Sequence, residues 1–167
     1  MSELREEKKM HKPLFVVSFE DLSESRYIPT EEEVREQVQG TFDCISPANE
    51  DEWTEENFSR VLINMFDGVT TDGKTYFVPV EAVKAYLAKK TEVVKKYIAE
   101  QPLDAGQLCR WKNRLIYGIF ESGNDFIIDG AYEHETDFAT ILLKRSEDNP
   151  ETVFARIKLE SIYDAHC

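Results

Sequence analysis

The stretch from Pro79 to Glu100 is the longest uninterrupted helical pattern in the chain, and it constrains the fold more than any other segment. Val83, Leu87, Val94 and Ile98, with Tyr86, Val93 and Tyr97 beside them, recur at the three-to-four-residue spacing that stacks side chains on one helix face. Ala82, Ala85, Ala88 and Lys89 are good helix formers and fill the remainder. Pro79 suits a first helical turn, and Pro102 follows as a stop signal. At 100° per residue, Lys84 and Lys95 share one direction and Lys89 and Lys96 a second, flanking the apolar face. Lys90 is the exception. It projects into the apolar arc, where it snorkels, pairs with an acid, or marks a docking face such as that of a homodimer.

Upstream of this helix the pattern is a helix and a hairpin. Thr54 is a helix cap, and Trp53 and Phe58 have the spacing of a hydrophobic staple. Phe58, Val61, Leu62, Met65 and Phe66 form an apolar stripe that Asp67-Gly68 ends, so helices are expected over 54–66 and 79–100, packed on each other. Between them, Asp72-Gly73 is a dipeptide that favours a tight turn, because both residues tolerate positive φ. Residues 53–100 therefore read as a helix-hairpin-helix unit.

The N-terminal segment supplies a buried strand at Leu14–Phe19, after a charged lead-in that holds His11. Thr30 and Glu33 make a capping box for a short helix that buries Val34 and Val38 and stops at Gly40. Residues Thr41–Ile45 read as a further strand. Beyond Pro102, strand-like segments recur at Leu108–Lys112, Leu115–Glu121, Phe126–Glu133, Phe138–Lys144 and Thr152–Glu160, with Gly118 and Gly130 as points of curl. In the last, Val153, Ala155, Ile157 and Leu159 share one face. The expectation is an α+β protein: an α/β region over 1–101, then an antiparallel β module over 102–167, a meander or small SH3-like barrel packed as one unit with the first.

Charge narrows the function. Thirty-three acids against twenty bases leave −13, which opposes general affinity for nucleic acid or an anionic membrane. The excess is concentrated: residues 1–60 carry −9, residues 61–105 are neutral, and residues 106–167 carry −4. Glu31, Glu32 and Glu33 open one helix and Glu55 and Glu56 another, where the helix dipole favours acids. Glu50, Asp51 and Glu52 lie outside any helix and have no such explanation. Together they present a negative surface to a basic partner. The concrete form is an inhibitor or immunity-type protein that blocks a nucleic-acid-handling enzyme by occupying its Lys/Arg groove.

Two alternatives carry different chemistry. Glu133, Glu135 and Asp137, with His134 and Asp129, would project to one side of an extended segment and offer oxygens to a hard cation, as a metal-dependent hydrolase requires. Arg110, Trp111 and Lys112, with Arg114, combine cations with a stacking ring, as a small barrel binding single strands would. No nucleotide-binding loop and no nucleophile motif occurs, so no cofactor is expected. Cys44, Cys109 and Cys167 are widely spaced without metal-ligand spacing, and the first two sit in apolar strand-like sequence as inert core residues. His11 and His166 read as frayed terminal residues. The charged N-terminus and the absence of a long apolar run suggest a cytoplasmic protein, and no motif in the chain identifies a family.

Overall fold

Strand β1 (His11–Phe19) runs through the middle of the sheet and buries Leu14, Phe15, Val16 and Val17 almost completely. The computed structural model describes residues 11–20, 27–49, 51–100, 104–115, 123–149 and 151–166. Helix α1 (Glu31–Val38) begins at the expected capping box, with the Thr30 N–H donating to Glu33 Oε2 at 2.7 Å and the Glu33 N–H to Thr30 Oγ1 at 3.3 Å. Strand β2 (Cys44–Pro47) follows, a few residues later than the sequence pattern suggests. Helix α2 (Glu55–Met65) is capped by Thr54, whose N–H and hydroxyl both donate to Asn57 Oδ1. Its apolar stripe is as expected, with Phe58 and Leu62 fully buried.

Strands β3 (Thr70–Thr71) and β4 (Tyr76–Pro79) pair antiparallel. Helix α3 (Val80–Ala99) matches the predicted long helix nearly residue for residue. Its main packing partner is a later helix, α5 (Glu135–Glu147), and it meets the end of α2 through Phe66 and Tyr86, ring centroids 5.4 Å apart.

The second half departs from expectation. Leu108–Lys112 is not a strand: it lies inside helix α4 (Ala105–Leu115), which starts where Asp104 Oδ1 accepts from the Gln107 N–H at 2.8 Å. Phe126–Glu133 is not one strand but two, β5 (Asp125–Ile128) and β6 (Ala131–His134). Asp129 and Gly130 join them with φ of 52° and 78°, the two-residue turn whose twist matches a hairpin. Phe138–Lys144 is not a strand either. It belongs to helix α5 (Glu135–Glu147), which buries Phe138, Ala139 and Leu142 on one face. The expected strand at Leu115–Glu121 lies outside the described residues from 116 onward. The final strand is present as expected: β7 (Phe154–His166) is longer than the pattern suggests and buries Ala155 and Ile157 as the alternation requires, though Val153 before it is exposed.

The strands form one open, seven-stranded sheet in the order β3-β4-β7-β1-β5-β6, with β2 also paired to β7. β7 runs antiparallel to β1, β2 and β4, while β1 and β5 are parallel. Among the described residues the ends of the order, β3 and β6, are not paired to each other, and no barrel closure is seen. Pairing of β1 with β7 shifts between Val16 and Val17, where Glu160 is skipped.

Each face has its own core. One holds Phe15, Val17, Phe126, Ile128, Tyr76, Val78 and Ile157 under α2, α3 and α5. There Phe126 and Phe138 stack with centroids 4.1 Å apart and planes 8° off parallel, a contact worth about 0.5–1.5 kcal/mol beyond its burial. The opposite face packs Leu14, Val16, Ile45, Ile127, Tyr163 and Ala165 against Val34 and Val38 of α1.

Candidate functional site

Strand alternation sends His11 and Lys12, neighbours in sequence, to opposite faces of the sheet, and each meets a buried aspartate. Lys12 Nζ lies 2.5 Å from Asp125 Oδ2. Asp125 Oδ1 accepts the Tyr132 hydroxyl at 2.9 Å and faces His134 Nδ1 at 2.9 Å. Asp125 is 1% exposed, so this charge is matched by a cation and two further polar partners inside the α1 face. On the other face, His11 Nδ1 sits 2.7 Å from Asp164 Oδ2 and His166 Nε2 3.2 Å from the same oxygen. The Trp53 indole N–H donates to Asp164 Oδ1 at 3.2 Å. Trp53 is therefore anchored on β7, whatever its spacing to Phe58 suggests. His11 and His166, read from sequence as frayed ends, are instead paired across β1 and β7, their rings 4.3 Å apart.

The acidic residues lie near the same end of β7, on the two faces of the sheet. At the start of α1, Glu31 and Glu32 are exposed, and Glu33 is spent locally, taking the Thr30 N–H and the Tyr27 hydroxyl. Those bonds, the Thr30 N–H first, hold the Glu33 carboxyl below its ordinary value. Burial raises the Tyr163 hydroxyl, and the charge of Glu31 adds to the effect, which places α1 beside Tyr163 of β7. Tyr163 pairs with Pro47, and the Ala48 N–H bonds the Ile162 carbonyl. The chain then turns through Asp51 and Glu52, both exposed, and returns to β7 at the Trp53–Asp164 bond. Glu55 and Glu56 follow, also exposed. Ala48, Trp53, Thr54, Glu55 and Ile162 line a groove there. Glu50 lies outside the described residues.

Some of this charge is balanced internally. Arg35 pairs with Glu31 at 2.6 Å and Arg60 with Glu56 at 3.2 Å, both on the surface, where such pairs add little. Glu55 accepts the Tyr76 hydroxyl at 3.1 Å.

The other nominated residues are dispersed. Glu133 ends β6, whereas Glu135 and Asp137 open α5, so the extended row of carboxylates is broken by the helix start. Glu135 is occupied, accepting the Tyr86 hydroxyl at 3.1 Å and both the backbone and side-chain N–H of Asn124. Asp129 pairs with Arg145 instead of facing that row. The Glu133 carboxyl is pushed up by burial first and by Asp137 second, so those two do share a neighbourhood. Trp111 sits in α4 with Arg110 and Lys112, on a helix where a strand was expected. The Lys90 ammonium lies 5.3 Å from the Tyr86 ring centroid, one helical turn back, in a cation–π contact. Lys84 and Lys95 pair with Glu81 and Glu92 on their own helix. Cys44 and Cys109 are exposed, not core residues. Among the described residues, no helix is long and apolar enough to cross a membrane.

No protein-family model, no curated protein and no solved structure matches this chain.

Proposed function

We propose that the protein works by binding a basic protein partner through its acidic surface, as an inhibitor or immunity-type protein that occupies the phosphate-binding groove of a nucleic-acid-handling enzyme. The observation that carries this reading is that two acidic segments reach the same end of β7, α1 over one face of the sheet and the chain leading into α2 over the other. Glu31 arrives on α1 over the Tyr163 face, followed by Glu32 on the same helix, and Asp51, Glu52, Glu55 and Glu56 arrive on the chain that the Ile162 carbonyl and Asp164 hold over the opposite face. The dipoles of α1 and α2 stabilise the acids at their own starts, but not the Asp51-Glu52 turn between elements. A surface whose carboxylates project from folded elements keeps its charge pattern on binding. It can then exchange for phosphates with little ordering cost.

The test is complex formation with the partner captured from the native host. The expected result is that the complex weakens as salt rises, is displaced by short duplex DNA, and is lost in a triple variant, Asp51→Lys, Glu52→Lys, Glu56→Lys. A complex indifferent to salt, to DNA and to these reversals would overturn the reading.

A further inference from the structure

We propose that His11, Asp164 and His166 form a binding site for a zinc-type divalent cation, independent of the acidic surface. Three observations converge. The ligand chemistry is apt: two imidazoles and one carboxylate are a known three-ligand set for borderline cations, leaving a position open to water or substrate. The geometry is nearly that of a coordination sphere. One donor atom from each residue lies within 4.8 Å of the other two, and a tetrahedral shell with bonds of about 2.0–2.1 Å spaces its ligands roughly 3.4 Å apart. The shared Asp164 Oδ2, 2.7 and 3.2 Å from the two histidines, needs only a small opening to admit an ion.

The third observation is how the set is held. His11 and His166 are directly opposed in the β1–β7 ladder, and Asp164 is two residues along on the same face, so the backbone fixes all three in register. Asp164 is 4% exposed, with its second oxygen held by the Trp53 indole, which is the supporting hydrogen bond that metal-binding carboxylates take. His166 Nδ1 is buried and has no hydrogen-bond partner among the described residues. Asp164 Oδ2 faces both imidazoles at once, and a cation bound there would have all three side chains as ligands. His11 is nearly half exposed, which leaves the ion an entry path and an open coordination position.

Cys44 faces His166 across the β2–β7 ladder, yet its sulfur is not within the cluster, so it is not one of the ligands.

Titration of the purified full chain with zinc chloride by calorimetry, and with cobalt(II) by visible absorption, tests the site. One equivalent is expected, with the visible bands of low-symmetry four-coordinate cobalt. His11→Gln, Asp164→Asn and His166→Gln should each weaken zinc binding at least about tenfold. Cys44→Ser and the pair Glu133→Gln, Asp137→Asn should leave it unchanged. His11→Gln alters a half-exposed side chain and keeps the fold testable if the buried variants do not express. Zinc should also raise the melting temperature of the wild-type chain but not that of His11→Gln. No binding by the folded wild type, or binding that His11→Gln leaves intact or that Glu133→Gln, Asp137→Asn abolishes, overturns the proposal.

Discussion

Tyr86 shows how a single side chain can link elements that the sequence leaves unconnected. It projects from α3, carries Lys90 over its ring, touches Phe66 after α2, and donates its hydroxyl to Glu135 at the start of α5. Burial lifts its phenol well above the ordinary value of 10.0, and the nearby Glu135 charge adds to this. The sign follows directly. A group whose pKa is raised on folding contributes stability in full below the unfolded value, and that contribution is lost as pH rises from about 10 toward the folded value. Tyr86→Phe should therefore have two effects. At neutral pH it should cost about 1–3 kcal/mol, because a bond to a carboxylate is lost. Above pH 10 the variant's stability should fall less steeply than the wild type's, though not flatly, since Tyr76 is raised in the same direction by its own burial and Glu55. Urea midpoints across neutral and alkaline pH measure both. Equal alkaline slopes in the two proteins would contradict the account. None of this is legible in the sequence beyond the position of Tyr86 on the apolar arc. Lys90 is similar: spacing places it among apolar residues, but only the fold shows which ring it covers.

At the scale of elements, the N-terminal half was readable because its signals are local. The Thr30–Glu33 box, the Thr54 cap, the stripe on α2 and the period of α3 each specify structure within a few residues. In the C-terminal half, comparable signals were present but outweighed by β-branched and aromatic content. Asp104 is a cap for α4. Glu135 and Asp137 before Phe138, with Lys144 and Arg145 after it, have the charge order of a helix. Phe138, Ala139 and Leu142 fit a helical face as readily as a strand. Two of the Asp-Gly dipeptides make the same point. Asp72-Gly73, taken as a two-residue turn, lies in a four-residue loop where the Asp72 carboxylate accepts from the Lys74 and Thr75 N–H groups. Asp129-Gly130, taken as strand, is the two-residue turn. These assignments make opposite demands of alanine. In a strand, Gly130→Ala would be neutral or stabilising. In this turn, φ is +78° and an added Cβ would lie 2.6 Å from the Tyr27 ring, so a loss of about 2–3 kcal/mol is expected. Gly73→Ala isolates the backbone component, because φ there is +89° with open space around it, and should cost about 1 kcal/mol. Chemical denaturation of both variants checks this; a neutral or stabilising Gly130→Ala would contradict the turn, and a loss no larger than at Gly73 would contradict the Tyr27 contact.

At the scale of the molecule, the change in sequence character near Pro102 suggests a second module, whereas the sheet draws its strands from both sides of that point. Residue composition reports local preference. It does not report which strand pairs with which, because partners of β7 lie more than a hundred residues away in β1 and β2. β7, at the C-terminal end, is the antiparallel partner of β1, β2 and β4, and the remaining neighbour of β1 is β5. Among the described residues of 1–101, then, the only strand pairing is the short one between β3 and β4. A two-stranded ribbon is at most marginally stable alone, and β1 would lose both of its strand neighbours, leaving its backbone donors and acceptors unpaired. The same logic applies to the proposed metal site, which joins His11 to Asp164 and His166 and so exists only when both ends of the chain are in one sheet. A fragment of residues 1–101 is expected to lack a cooperative unfolding transition and to aggregate. Mixing it with a fragment of residues 102–167 should restore a native-like circular dichroism spectrum if the two associate through β1 and β7. A cooperative melt from 1–101 alone would establish instead that the first hundred residues fold independently and that β7 merely extends a sheet already formed.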